Sequence, residues 1–262
     1  MSAGYVHGGT DAREIARLEK QAAWTSAFTL PRFDAAAGHR VLDLACGVGA
    51  MGERLRARFA GAHVVGLDLS QAQLRASRAN HPDLPVARGD GTCLPFADRT
   101  FERVHCSWML EHVPAPAAVL REVRRVLTRG GVAQFVEVDN WSLTTRPVLP
   151  DVHALLARLN AAQLLAGGDP AIGPRLHHHA RAAGFRRFTL EPLPLHGTHA
   201  DPAFLAGFVE EFAEIFEGLD ESLGPDAQPL IERATRQLRG VLTSPGAELR
   251  YTAWLLRLAR TD

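Results

Sequence analysis

A chain of 262 residues, 46% of them apolar, is long enough for one large α/β domain and too short for two comfortable ones. Acidic and basic side chains balance at 29 each, so no chain-wide positive field exists to neutralise phosphates, and a nucleic-acid substrate is disfavoured. The three cysteines, Cys46, Cys93 and Cys106, form no CxxC pair and point to a reducing cytoplasm. Met1 to Thr10 lacks a basic segment followed by an apolar run, and no stretch approaches the ~20 apolar residues of a membrane span, so a soluble cytoplasmic protein without a membrane partner is expected.

In chain order, the first predicted helix starts near Thr10 or Asp11, which can cap it. Ile15, Leu18, Ala22 and Thr25 recur at helical spacing, and Arg13, Arg17 and Gln21 mark its polar side. His39 to Leu44 is a short apolar run closed by a glycine-rich turn, the pattern of a buried parallel strand. Helix and strand signals then alternate. Helices are expected over Ala50 to Phe59, Ser70 to Asn80 and Pro114 to Leu127, and strands over His63 to Leu67, Val86 to Ala87, Glu102 to Ser107 and Gly131 to Val138. Such alternation builds a parallel sheet covered on both faces. Beyond Asp139 the rhythm changes. Val152 to Leu165, Ile172 to Ala183, Pro202 to Leu219 and Ala227 to Leu242 read as helices, and Phe185 to Leu195 and Glu248 to Leu258 as extended.

The segment from Val41 to Gly52 runs from a strand through a glycine turn into a helix and contains GxGxxG. Gly47 and Gly49 let the backbone pass close to a ligand, and the helix start offers free N–H donors. A dinucleotide and S-adenosylmethionine fit this turn equally well. Asp68, at the end of the next strand, can accept both hydroxyls of a ribose and suits both ligands too. Asp43 discriminates by charge: a carboxylate there repels a pyrophosphate and attracts the cationic amino-acid end of adenosylmethionine. Asp90, beyond the third strand, can accept a hydrogen bond from an adenine amino group, with the N–H of Gly91 or Thr92 available to a ring nitrogen.

The ordered set VLDLACGVGAMGERL from Val41, VVGLDLS from Val64, GDGTCLPF from Gly89, FERVHCSWMLEHV from Phe101 and LREVRRVLTRGGVAQFVEV from Leu120 resembles the class I S-adenosylmethionine-dependent methyltransferases. The resemblance is strongest to the small-molecule branch that includes the ubiquinone and menaquinone biosynthesis enzymes, and it covers the central two-fifths of the chain. It implies an α/β, Rossmann-like doubly wound seven-stranded sheet, mostly parallel, with an antiparallel C-terminal hairpin and helical cap elements. Residues 1–35 would form an N-terminal helical cap, 36–140 the cofactor-binding core, and 141–262 the substrate-side helices and last strands. It further implies that Asp43 and the backbone around Ala45, Gly47 and Gly49 hold the methionine part of the cofactor, and that Asp68 binds ribose. Leu69 would pack on adenine, Asp90 and Gly91 would read its edge, and the Ser107 carbonyl would receive the ammonium. His112 would line the floor of the site. The product would be S-adenosylhomocysteine and the acceptor a small molecule, with the oligomeric state left open.

Several residues carry two readings. Arg17 and Gln21 reach the cofactor carboxylate, or they form a charged solvent face. His112 is a base facing the methyl group, or a hydrogen-bonded structural histidine; His7 is a base from a folded-over N-terminus, or a terminal side chain without a role. Cys46 reads as a packing variant rather than a nucleophile. The run His177-His178-His179 cannot converge on one ion because neighbours on a helix diverge by about 100 degrees. Glu137 and Asp139 lack the rest of a ligand set, so no metal is expected. Phe204, Leu205, Phe208, Phe212, Ile215, Phe216 and Leu219 form an apolar stripe opposite Glu210, Glu211, Glu214 and Glu217, either core or a lid over an apolar acceptor. Rival functions are an NAD(P)-dependent oxidoreductase and an adenosylmethionine-binding enzyme of another reaction type, such as a cyclase. No Asn/Asp-Pro-Pro-Tyr/Phe follows the fourth strand, which disfavours amide and amino-group methylation of proteins or nucleic acids. The arginine-rich bias, with Lys20 the only lysine, and the lid-like insertions suggest secondary metabolism.

Overall fold

A computed structural model describes residues 12–219 and 223–262. The expected N-terminal caps Thr10 and Asp11, and His7, lie outside the described residues. Helix α1 (Ala12–Thr29) leads to strand β1 (Arg40–Leu44), and α2 (Ala50–Arg58), β2 (His63–Asp68), α3 (Gln71–Asn80), β3 (Val86–Arg88) and β4 (Phe101–Ser107) follow. Then come α4 (Pro116–Val126), β5 (Leu127–Glu137), the short β6 (Thr144–Arg146), α5 (Pro150–Leu165), α6 (Leu176–Ala182) and β7 (Arg187–Thr198). Helices α7 (Pro202–Glu217) and α8 (Gln228–Gly240) precede the last strand, β8 (Glu248–Ala259).

The sheet runs β3-β2-β1-β4-β5-β8-β6, with β7 also paired to β8. Strands β1 to β5 are parallel to their neighbours, while β8 runs antiparallel to β5, β6 and β7. Strand β7 pairs with the whole length of β8, so β5 and β6 share its other edge: β5 faces Trp254 to Ala259 and β6 faces Glu248 to Arg250. The eight strands thus occupy seven positions across the sheet. The expected seven-stranded architecture with its antiparallel hairpin is the one observed, and β6 is the strand that three residues of polar sequence did not announce.

Local sequence accounts for most element ends. Val41, Leu42 and Leu44 are all essentially inaccessible, because a central parallel strand is covered on both faces. Ser70 caps α3 by accepting a hydrogen bond from the Gln73 N–H, and Asp201 caps α7 through the Phe204 N–H. Helix α4 buries Val119, Leu120, Val123 and Val126, one face at helical spacing, against the core that includes Val104 and Phe135. The expected helix from Ile172 is broken. Its first turn, Gly173–Arg175, is a 3-10 turn containing Pro174, and α6 starts only at Leu176. Strand β5 begins at Leu127 rather than Gly131, crossing a register shift opposite Phe101 and Arg103.

Of the two readings of Arg17, the solvent face is not the one observed. Arg17 is 4% exposed, because α1 packs against α7 and Arg17 is enclosed between Glu14 and Glu211. Glu211 is likewise buried, on the α1 side of α7, rather than standing in solvent with Glu210. The two helices are joined by Trp24 against Phe204 and Phe208, with ring centroids 5.3 and 5.7 Å apart, and by the pairs Arg13–Glu217 and Lys20–Glu214. Among the described residues, no helix is long and apolar enough to cross a membrane.

Candidate active site

The first three strand ends on which the site is built are drawn together by backbone geometry. Ala45, Gly47 and Gly49 all take left-handed φ values, 59°, 52° and 85°, which bends the chain sharply between β1 and α2. At Gly49 a side chain is impossible for a second reason: its Cβ would stand 2.3 Å from the Ser77 hydroxyl. Asp68 ties this turn to the next strand, its Oδ2 accepting from the Gly47 N–H at 2.9 Å and its Oδ1 from the Ser70 N–H at 2.8 Å. Burial raises the Asp68 carboxyl above its ordinary range, against the pull of these donors. Cys46 packs beneath: a Cβ on Gly66 would come within 2.7 Å of its sulfur, and desolvation pushes its thiol far up, so the packing reading stands over the nucleophilic one.

Asp43 is 2% exposed and carries the most informative arrangement. Its Oδ1 meets the His105 Nδ1 at 3.3 Å, and the His105 Nε2 meets the Ser107 hydroxyl at 3.5 Å. Its Oδ2 is buried with no hydrogen-bond partner. That oxygen lies on the Gly52 and Leu84 side, away from the cavity, so the Asp43 carboxylate acts on the cavity through its charge, which favours a cationic group there. His105, fully buried on β4, is a site residue that sequence reasoning missed; the only available signal was a histidine in an otherwise apolar strand two positions before Ser107.

The other cofactor candidates gather around the same space. Leu69 is 50% exposed, an apolar side chain at the cavity wall for which a flat ring would be a partner. Asp90 uses Oδ1 to accept from the Thr92 N–H and hydroxyl, both at 2.8 Å, which closes a turn and leaves Oδ2 outside it. Gly91 is packed so closely that a Cβ would meet the Met109 methyl at 2.6 Å. Helix α2 starts at Ala50 without a side-chain cap, so its first N–H groups face the turn unsatisfied by any side chain. The buried Asp43 charge, the Asp68 carboxylate at the next strand end, an exposed Leu69 and an uncapped helix start fit a nucleoside bearing a cationic amino-acid end.

A cavity of about 800 Å3 extends from these strand ends to the underside of α1 and α7. That volume lies within the roughly 300–1,000 Å3 of small-molecule sites. It brings together the candidate cofactor residues named from the sequence, Arg17, Asp43, Ala45, Gly47, Asp68, Leu69, Asp90, Gly91 and Ser107, together with His112; Gly49 alone of the set does not line it. Arg17 reaches it already engaged, Nε and Nη2 each 2.8 Å from Glu14 and Nη1 3.5 Å from Glu211. The apolar stripe of α7 packs as one core cluster, and Phe212, Ile215 and Phe216 also line the cavity, whereas Leu205 and Phe208 do not.

Next to the end of β4 lies a polar patch that the sequence did not reveal. Trp108 follows Ser107 with φ 58°, a backbone state rare for a bulky residue, and the chain then makes the 3-10 turn Leu110–His112. Glu137, completely buried at the end of β5, accepts from the N–H groups of Met109, Leu110 and Glu111 and so anchors this turn. Burial, and secondarily the neighbouring Glu111 carboxylate, push Glu137 up to about 8. Glu111 lines the cavity, with its Oε2 accepting from the Gln163 amide at 2.8 Å and its Oε1 3.7 Å from the His112 Nε2. The Gln163 amide also lies 3.4 Å from the His112 Nδ1. Tyr251, also on the wall, donates to Asn140, and Asn140 donates to Asn160, each at 3.0 Å.

The fold is an open α/β domain with its cavity at the carboxyl ends of the parallel strands, the place where such sheets bind ligands. Residues 42–135 match the family model described as Methyltransferase domain. The chain is 36% identical over 149 residues to a demethylmenaquinone methyltransferase of Corynebacterium kroppenstedtii, covering 56% of this chain and 62% of that one. It is 28% identical over 240 residues to a trans-aconitate 2-methyltransferase of Methylobacterium radiotolerans, covering 77% and 86%. The match to the demethylmenaquinone methyltransferases spans between about half and two thirds of those proteins' length. Among solved structures, phosphoethanolamine N-methyltransferase 2 of Haemonchus contortus, in complex with phosphomonomethylethanolamine and S-adenosylhomocysteine, superposes with a TM-score of 0.59 at 18% identity, covering 91% of this chain and 52% of that one. Over residues 42–135 the chain is similar to a methyltransferase domain, and over about half its length it is similar to quinone-biosynthesis methyltransferases.

Proposed function

We propose that the protein transfers the methyl group of S-adenosylmethionine to an oxygen, nitrogen or carbon of a small, apolar or aromatic acceptor. The observation that carries this reading is the buried Asp43 carboxylate under the glycine turn on the cavity wall, with Asp68 at the next strand end. Asp43, steadied by His105, and the backbone of Ala45, Gly47 and Gly49 would hold the amino-acid end, with the Ser107 carbonyl on the ammonium and Arg17 facing the carboxylate. Asp68 would hold the ribose, Leu69 would cover the adenine, and Asp90 and Gly91 would bind its edge. Bound there, the cofactor supplies an electrophilic methyl on a sulfonium and leaves as S-adenosylhomocysteine.

The chain's own contribution is alignment and exclusion of water under α1 and α7, an effect that can supply up to ~7–11 kcal/mol. A base is optional for so reactive a donor. Where the acceptor is a phenol or indole, His112 on the cavity wall would take its proton, a contribution of ~100- to 10,000-fold. His7 keeps the same role as a second candidate on sequence grounds. Full retention of turnover by both His112→Ala and His7→Ala across the pH range excludes both as bases. Three unpaired cysteines support a reducing, cytoplasmic setting.

Calorimetry checks the cofactor reading directly: Asp68→Ala and Asp90→Ala should each weaken adenosylmethionine binding, and unchanged affinity in both sinks the placement. Formation of S-adenosylhomocysteine in the presence of candidate acceptors, followed by mass spectrometry, checks the reaction.

A further inference from the structure

The charges on the cavity wall differ from those that an acidic acceptor requires. Among the described lining residues, the only arginine or lysine is Arg17, and its guanidinium is already bidentate on Glu14 and in contact with Glu211. Whether it keeps those partners or turns to the cofactor's carboxylate, no strong cation is left for a second anion. Of the two histidines on the wall, His105 is bound to Asp43, and His112 stands 3.7 Å from Glu111. The Asp43, Asp68 and Asp90 carboxylates belong to the nucleoside end. Glu111 does not: it lies beyond the end of β4, 5% exposed, beside Tyr251 and Asn140. One hydrogen bond, from Gln163, satisfies one of its oxygens, while Oε1 has only the distant His112 nitrogen. A carboxylate has about four lone-pair positions, so Glu111 retains capacity for a donor arriving from the cavity.

Much of the rest of the lining is apolar. Phe212, Phe216, Leu156, Leu159 and Leu195 face the same space, with the Phe212 ring 5.5 Å from that of Tyr251. An occupant matching both parts of the lining has an apolar body and one hydrogen-bond-donating head. Resting on the methyl-transfer reading, we propose that the acceptor is a non-anionic amine or hydroxyl compound with an apolar body, that Glu111 receives its donor hydrogen, and that carboxylates and phosphate esters are excluded. Glu111 is then the specificity-determining residue. An anion placed beside it suffers like-charge repulsion with no compensating cation, a juxtaposition that costs several kcal/mol in a desolvated site. This sets the chain apart from two of the proteins named above: trans-aconitate carries carboxylates and phosphomonomethylethanolamine carries a phosphate.

The test uses the full chain saturated with S-adenosylhomocysteine and three probes with one ring system, 1-naphthol, 1-naphthylmethylamine and 1-naphthoate, with affinities measured by calorimetry or ligand-observed NMR. The naphthol, the amine or both should bind at least about tenfold tighter than the acid, a difference of about 1.4 kcal/mol. The tighter of the two identifies hydroxyl or amine as the head. Glu111→Gln, which keeps an oxygen for Gln163, should erase most of the margin by weakening the donor probes and admitting the acid. Naphthoate binding as tightly as the other two overturns the proposal, as does binding of none of the three to protein that holds S-adenosylhomocysteine normally. The ranking in the wild-type protein stands by itself if the variant fails to fold. Failure to bind S-adenosylhomocysteine at all is a different result: it defeats the methyl-transfer reading, and this inference with it.

Discussion

Replacing Asp43 by Asn removes a charge while keeping shape, and the structure says how much that should cost. The side chain is 2% exposed, one oxygen is steadied by His105 and the other is bare. An ammonium in the cavity about 4 Å from this carboxylate would gain about 4 kcal/mol at an effective dielectric constant of about 20. Desolvation of the ammonium offsets part of this gain, leaving ~1.5–3 kcal/mol, the usual range for a hydrogen bond to a charged group. Asp43→Asn should therefore weaken S-adenosylhomocysteine about 10- to 150-fold. The control is 5′-deoxy-5′-methylthioadenosine, which shares the nucleoside and thioether and lacks the amino-acid end; its affinity should stay within about twofold, since Asp43 has no charge to meet there. His105→Phe keeps a ring against Phe33, whose centroid is 5.6 Å away, but removes the donor that aims Asp43. Loss of one such bond, ~0.5–1.5 kcal/mol, should reduce S-adenosylhomocysteine affinity about 2- to 10-fold, again without touching the control. Titration calorimetry with both ligands reads all of this. Equal weakening of the two ligands by Asp43→Asn, or none, refutes the assignment of that carboxylate to the amino-acid end.

Gly49→Ala combines a left-handed φ with a Cβ 2.3 Å from the buried Ser77 hydroxyl, so it should lower the melting temperature and abolish nucleoside binding; native-like values for both contradict the strain argument. Arg17→Ala leaves Glu14 and Glu211 buried without their cation and should cost ~3–5 kcal/mol in urea unfolding, partly recovered by adding Glu211→Gln. Glu137 sets a pH dependence. Its folded-state value of about 8 lies above the ordinary 4.5, so the stability it contributes is present below about pH 4.5 and is lost as pH rises towards 8, on the order of 4–5 kcal/mol at most. The stability of Glu137→Gln relative to the wild type should accordingly rise between pH 5 and 8, and a constant difference across that range speaks against a protonated Glu137.

Much of the fold was readable because its signals are local. Val41 to Leu44 followed by glycines is a strand entering a turn under any tertiary arrangement, and Gly47 and Gly49 stand where only a left-handed backbone continues the chain. Asp43, Asp68 and Asp90 were readable as a set because each ends or follows a strand, and a parallel sheet delivers successive strand ends to one edge. What was left open has a different origin. Arg17 carried a solvent-face reading beside its cofactor reading, and Glu211 stood opposite the apolar stripe, because helical spacing distinguishes faces but does not say what lies against them; they are buried by each other, 194 residues apart in the chain. The helix expected from Ile172 failed locally instead, where Pro174 removes an N–H and the first turn tightens.

By itself the sequence determined the strand–turn–helix units, their parallel order and the three acidic strand ends, since each follows from residues within a few positions of one another. Only the tertiary structure decided the rest. The pairing of Asp43 with His105 joins residues 62 positions apart, Glu111 with Gln163 joins residues 52 apart, and the cavity closes where α1 meets α7. Such contacts depend on how elements pack rather than on what each element is, and packing is a property of the whole chain.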